Sequence, residues 1–200
     1  EKFEIMAIPF FILAGNFLTH GGVAKRMIRF ATAIVGHWHG GLALGGVLAC
    51  ALFAAVSGSS PATVVAIGSI LLPAMVKQGY PMKFGVGVIG TSGGLGILIP
   101  PSIVMVIYAV STNSSIGRLF IAGIIPGLML AALLMFVTWA VAKKRNYPRM
   151  PKASLKEMLL AFRESVWGLF LIVVVIGGIY SGLFTPTEAS AVAVFYALFV

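Results

Sequence analysis

Ser57, Ser59 and Ser60 surround a single glycine, Gly58, and run into Pro61 and then Thr63. Hydroxyls this dense can coordinate a cation through neutral oxygens, hydrogen-bond a carboxylate or, beside a base, act as nucleophiles. Ser60-Pro61 has the make-up of a helix start, with Ser as N-cap and Pro at the first helical position. The positive end of such a helix favours an anion. A second polar interruption follows at Thr91-Ser92-Gly93-Gly94-Leu95-Gly96 and Pro100-Pro101-Ser102. Prolines without an amide hydrogen, beside loose glycines, predict a discontinuous helix there. Broken helices leave carbonyls that suit Na⁺ and amides that suit anions. We therefore expect Ser57, Ser59, Ser60, Thr63, Thr91 and Ser92 to receive a carboxylate-bearing solute. Ser57, Gly58, Ser59, Gly93 and Gly94 are expected to share a Na⁺.

The residues absent from these breaks matter as much. The chain has no Asp, and its five acids are Glu1, Glu4, Glu157, Glu164 and Glu188. Proton-driven carriers use intramembrane carboxylates or histidines as relays, and none is placed here for that role, so coupling through neutral oxygens to Na⁺ is the better reading. Glu188 closes Thr185-Pro186-Thr187-Glu188, a capping box that assigns it to a helix start. His37-Trp38-His39 reads as an interfacial anchor around Trp38 rather than a metal site, and Arg118 as an interface arginine. An intramembrane serine protease is the rival from another class, and it needs a base near Ser57 or Ser59, which His20, His37 and His39 do not supply. An ion channel is the third class.

Composition sets the medium in which these residues work. Of 200 residues 60% are hydrophobic and 10% charged, whereas globular chains carry about 25% charge. Too few polar side chains exist to cover a watery surface, so this is an integral membrane protein bound to a lipid bilayer. The net charge of +9 lies in short basic runs between apolar segments, which is the positive-inside pattern and not a nucleic-acid face. Cys50 is alone, so no disulfide framework forms within the chain. The sequence starts at Glu1 and stops at Val200 inside an apolar run, and we expect it to be an internal piece of a longer protein.

These features predict an all-α membrane protein. Residues 1–36 hold a scaffold helix and an amphipathic helix lying in the interface, with Val23, Met27, Phe30 and Ile34 opposite Lys25, Arg26 and Arg29. Residues 37–83 hold a re-entrant helical hairpin: its arms, Leu42–Val56 and Ala62–Val76, reach only about 22 Å each. Residues 84–115 form the discontinuous transmembrane helix. Residues 116–165 form a second scaffold helix and a cytoplasmic amphipathic helix started by the Ser154–Glu157 capping box. Residues 166–200 form a last transmembrane helix and the start of another. Putting the basic segments 25–29, 77–83 and 143–156 on one side, the cytoplasm, requires 42–76 to return to the side it left.

Several stretches carry a resemblance to a family: Ile8-Pro9-Phe10-Phe11-Ile12-Leu13-Ala14-Gly15-Asn16, Ser57-Gly58-Ser59-Ser60-Pro61-Ala62-Thr63 through Ile67-Gly68-Ser69, and Gly79-Tyr80-Pro81. Gly96-Ile97-Leu98-Ile99-Pro100-Pro101-Ser102, Ser115-Ile116-Gly117, Gly123-Ile124-Ile125-Pro126-Gly127 and Phe184-Thr185-Pro186-Thr187-Glu188-Ala189 continue it. Together they resemble the large membrane subunit of TRAP (tripartite ATP-independent periplasmic) transporters, C4-dicarboxylate type. The resemblance implies an elevator-type member of the ion-transporter superfamily, covering the first inverted repeat and the start of the second. It further implies a multi-pass protein of the bacterial inner membrane, with no enzymatic activity and no organic cofactor. Such a subunit imports an organic acid on a Na⁺ gradient, with a small membrane subunit and a periplasmic solute-binding protein as partners.

Overall fold

The computed structural model describes residues 5–20, 22–149, 151–152 and 154–199. Glu1, Glu4 and Gly21 lie outside the described residues, as does the side chain of His20. Among the described residues ten helices follow in order: α1 (Ala7–His20), α2 (Val23–Val35), α3 (Gly41–Ser57), α4 (Ser60–Lys77), α5 (Met82–Gly93), α6 (Leu95–Leu98), α7 (Ile103–Thr112), α8 (Ile116–Arg145), α9 (Leu155–Tyr180) and α10 (Pro186–Phe199).

Helix α3 is apolar all round and buried along most of its length, from Gly41 to Ser57, as expected of a helix enclosed by others. It touches α1, α2, α4, α5, α6 and α8. Outer helices are equally apolar yet bare: Ile125 is 69% exposed, Phe136 63% and Val173 64%. Contiguous apolar surface of this kind has no place in water. By length and composition α4, α8 and α9 each suffice to cross a membrane, and α5–α6 with α7 form a further candidate span bent by 41°. The chain is a multi-pass integral membrane protein.

Residues 42–76 reverse direction at Gly58-Ser59. Gly46 and Leu71, placed symmetrically about that pair, face each other so closely that a Cβ on Gly46 would overlap the Leu71 side chain. The arms are longer than the sequence predicts: 17 and 18 residues, about 26 and 27 Å, because Gly41, Ser57 and the Ser60-Pro61 start all join the helices. Contrary to expectation, α4 is therefore long and apolar enough to cross a membrane. The reversal itself rests on contacts and stands.

The interfacial reading of α2 needs correction. Val23, Met27 and Ala31 are buried, and α2 lies on α3 and α9. A Cβ at Gly168 of α9 would meet Val23 and Met27 at 2.9 and 3.1 Å, and the Phe30 and Phe162 rings lie 5.7 Å apart. The buried face of α2 thus packs on α3 and on α9 around Gly168 instead of lying on lipid, whereas Leu155, Leu159 and Phe162 at the start of α9 stay exposed. Helix α9 runs unbroken from Leu155 to Tyr180, through the division expected between 165 and 166. Its capping box forms as predicted, Ser154 Oγ accepting from Glu157 N while Ser154 N donates to the Glu157 carboxylate.

The basic segments gather at one end. Tyr80 donates to the Pro148 carbonyl at 3.1 Å, Arg149 Nε donates to the His37 carbonyl at 2.9 Å, and Arg29 pairs with Glu164 at 2.6 Å. The two partners in that ion pair are both well exposed, so it orients α2 on α9 more than it stabilises it.

Candidate functional site

Gly58 ends α3 in the left-handed region (φ 65°) and donates its amide to the Ala54 carbonyl. Ser59 is then extended and is the N-cap of α4, its Oγ accepting from Ala62 N at 3.4 Å. The cap is thus one residue earlier than the expected Ser60. The left-handed glycine turns the chain within two residues, and Pro61, having no N–H, leaves Ala62 as the first amide a cap can reach.

A buried hydroxyl network holds this tip. Thr63 Oγ1 donates to the Ser59 carbonyl at 2.8 Å, and Ser57 Oγ lies 3.0 Å from Thr63 Oγ1. Ser57 and Thr63 are buried, so neither hydroxyl is a ready solute ligand here. They set the shape of the tip.

Of the two interruptions expected in this segment, the one at Pro100-Pro101-Ser102 forms and the one at Thr91–Gly96 is reduced to a single turn residue, Gly94. Helix persists through Thr91–Gly93 and Leu95–Leu98, and the interruption is Ile99–Ser102, which includes a cis Pro100–Pro101 bond. Glycine lowers helix stability by about 1 kcal/mol but keeps its amide. Proline removes the amide and drives the residue before it out of helical geometry, and Ile99 is extended at ψ 121°. Ser102 caps α7, accepting from Met105 N at 3.4 Å.

The two breaks touch. Ile103 N donates to the Gly58 carbonyl at 2.9 Å, and a Cβ on Gly58 would stand 2.7 Å from the Pro101 oxygen. Gly96 lies against the tip backbone, its notional Cβ 2.8 Å from Ser59 C and Ser60 N. Gly93 instead abuts Val64 of α4. Beside this junction opens a cleft of about 630 Å³ lined by Ile12, Gly15 and Asn16 of α1, Ser57–Ala62, Ile97, Ile103 and Val104. None of these lining residues is titratable.

Of the expected site residues, Ser57, Gly58, Ser59 and Ser60 line the cleft, whereas Thr63, Thr91, Ser92, Gly93 and Gly94 do not. Thr91 bonds back to Gly87 of its own helix, and Ser92 is buried with no partner for its hydroxyl among the described residues. The structure does not bring Gly93 and Gly94 to the cleft with the tip residues expected to share a Na⁺ with them. The Gly58 and Ser59 carbonyls already accept hydrogen bonds, and neither Gly93 nor Gly94 borders the cleft. Sequence reasoning missed the α1 wall. Its signal was present in Asn16, a lone amide beside Gly15 in an otherwise apolar run.

In electrostatic terms α4 and α7 both begin at the cleft and α3 ends there. Two positive helix ends and two negative ends, those of α3 and of the α5–α6 segment at Leu98, meet within a neutral lining. That arrangement suits an anion, with a cation beside the last carbonyls of α3.

The model for the DctM component of tripartite ATP-independent periplasmic transporters matches residues 1–200. The chain belongs to this family of TRAP transporter large permeases. It is 70% identical, over all of its length and 49% of the relative's, to the C4-dicarboxylate TRAP transporter large permease protein DctM of Rhodobacter capsulatus. It is 46% identical to the 2,3-diketo-L-gulonate TRAP transporter large permease protein YiaN of Escherichia coli, over all of this chain and 47% of that one. It is also 45% identical to the isethionate TRAP transporter permease protein DctMQ of Oleidesulfovibrio alaskensis, over all of this chain and 32% of that one. The chain spans about half the length of the first two relatives. The DctM family is one of transporters, so the protease reading falls.

Glu188 sits in this DctM-family chain as a helix cap: Thr185 N donates to its carboxylate at 3.0 Å, and Glu188 N donates to Thr185 Oγ1 at 3.3 Å. Glu188→Gln keeps an acceptor there, so uptake by the full-length transporter is expected to survive, while Thr185→Ala loses about 1 kcal/mol of stability in thermal melts. Uptake abolished by Glu188→Gln alone would return the carboxylate to a role in transport.

Proposed function

We propose that this chain forms half of the solute site in the large permease subunit of a Na⁺-coupled secondary transporter of the bacterial inner membrane. It imports C4-dicarboxylates or related organic acids handed over by a periplasmic binding protein, together with a small membrane subunit. The observation that carries the reading is the junction of Gly58 with Ile103, where two helix N-termini border one cleft that has no titratable lining. Identity of 70% to a C4-dicarboxylate permease supports the solute class. In this reading the α3–α4 hairpin enters the membrane from the cytoplasmic side and returns to it, because Lys77 and the end of α8 lie at the same basic end. Irregular backbone at such depth is tolerable where it faces a wet cavity. The cleft moves with the hairpin in an elevator-like cycle, and Na⁺ binds through neutral oxygens, among them the last carbonyls of α3.

Uptake of labelled C4-dicarboxylates by the full-length system, each with and without Na⁺ and binding protein, tests this directly. Ser60→Ala is expected to lower Na⁺-dependent uptake roughly tenfold, the loss of one hydrogen bond of about 1.5 kcal/mol to a charged group. Uptake indifferent to Na⁺, or unchanged in Ser60→Ala, would overturn the assignment.

A further inference from the structure

A second cavity, of about 660 Å³, lies far from the solute cleft, between the turn joining α2 to α3 and the C-terminal half of α8. Trp38 and His39 form one wall, Met135, Phe136 and Trp139 the other, and Arg149 crosses the end. Lys143, one turn beyond Trp139, holds its ammonium 4.9 Å from that indole ring. Arg149 spends its Nε on the His37 carbonyl, which sets the guanidinium in place and turns its terminal nitrogens into the available donors. No carboxylate lines the groove.

We propose that this groove holds an anionic phospholipid, with its phosphate between Arg149 and Lys143 and an acyl chain along Phe136 and Met135. Three features favour a lipid over a soluble anion. The groove is graded along α8: apolar at Ala132, Met135 and Phe136, aromatic at Trp139, cationic at Lys143. From Ala132 to Lys143 is about 16 Å of helix, close to the roughly 15 Å of hydrocarbon in one leaflet. Its basic end coincides with the gathered basic segments, the side where anionic headgroups meet interfacial Trp and basic pockets between helices. A free phosphate would use the cations and leave the apolar length bare. A planar, forked guanidinium is also the group best matched to a phosphate diester.

The test uses the purified full-length protein in phosphatidylcholine nanodiscs containing phosphatidylglycerol, with retained lipid counted by native mass spectrometry. Phosphatidylglycerol is expected to be retained in preference to phosphatidylcholine. Lys143→Gln with Arg149→Gln is expected to cut its retention roughly thirtyfold, about fivefold for each basic residue near a membrane surface. Lys77→Gln with Lys83→Gln, which removes charge elsewhere on the same side, is expected to leave retention unchanged. Phe136→Cys is expected to crosslink a photoactivatable lipid. Equal retention of phosphatidylcholine would overturn the proposal. So would displacement of phosphatidylglycerol by millimolar inorganic phosphate, which would mark a soluble-anion site. Crosslinking of Phe136→Cys to polypeptide instead of lipid would overturn it too, by showing the groove covered by protein.

Discussion

Gly58→Ala is expected to separate the two helix breaks and abolish solute uptake by the full-length transporter. Alanine in the left-handed region costs about 1–2 kcal/mol. At φ 65° that strain has no escape, because the backbone hydrogen bonds of Gly58 run in both directions, to Ala54 and from Ile103. The added methyl would stand 2.7 Å from the Pro101 carbonyl oxygen, and backbone cannot swing aside as a side chain does. Overpacking of that kind adds about 1–3 kcal/mol. Together these would reduce the population of the native tip roughly thirtyfold to several thousandfold. Gly79→Ala is the matched control: it also has positive φ, at 101°, but nothing within 4 Å of the new methyl. It bears the backbone strain without the collision, so its uptake is expected to persist. Uptake and thermal melting of both variants decide the matter, and equal behaviour of the two would show that contact between the breaks is unimportant.

Thr63→Val should be the most damaging change of similar volume in the hairpin. It removes the hydroxyl that donates to the Ser59 carbonyl and leaves Ser57 Oγ, itself buried, without its nearest partner. Ser57 Oγ then keeps only its longer contacts with Ser59, at 3.3 and 3.4 Å, and each hydrogen bond lost costs about 0.5–1.5 kcal/mol. Ser57→Ala removes the same contact from the other side, while Thr63 Oγ1 keeps its donation to the Ser59 carbonyl. Because the two hydroxyls share one network, the double variant Ser57→Ala/Thr63→Val is expected to lose less stability than the two single changes together, by about 0.5–3 kcal/mol. Denaturation midpoints of the four proteins complete the cycle. Strict additivity would mean that the pair does not act as a unit, and that the tip is held by its helix ends alone.

Some of this architecture could be read without coordinates because it depends on chemistry local to the chain. A scarcity of charge places the protein in lipid. Pro61 and Pro100-Pro101 each lack an amide, so both breaks are written into single residues, and the two Ser/Thr–Glu capping boxes depend on spacing of three. Family motifs from Ile8 to Ala189 extend the same legibility to kinship. The glycines were harder to read. Gly93 and Gly94 looked like a full break, yet Gly93 is helical and Gly94 only a single turn residue between α5 and α6, while Gly96 presses on the tip, since a residue without a side chain takes its meaning from whatever approaches it.

Approach is a property of the fold. That Asn16 joins the cleft, that Thr63 braces the tip from beneath, and that the apolar stripe of α2 meets α9 instead of lipid were all decided by helices distant in sequence. An apolar face must be covered, but hydrophobic burial is non-directional and does not name its partner. Residue type therefore determined where this chain bends and what medium it occupies. Only packing decided which bends meet, and so where a charged solute finds two helix ends together.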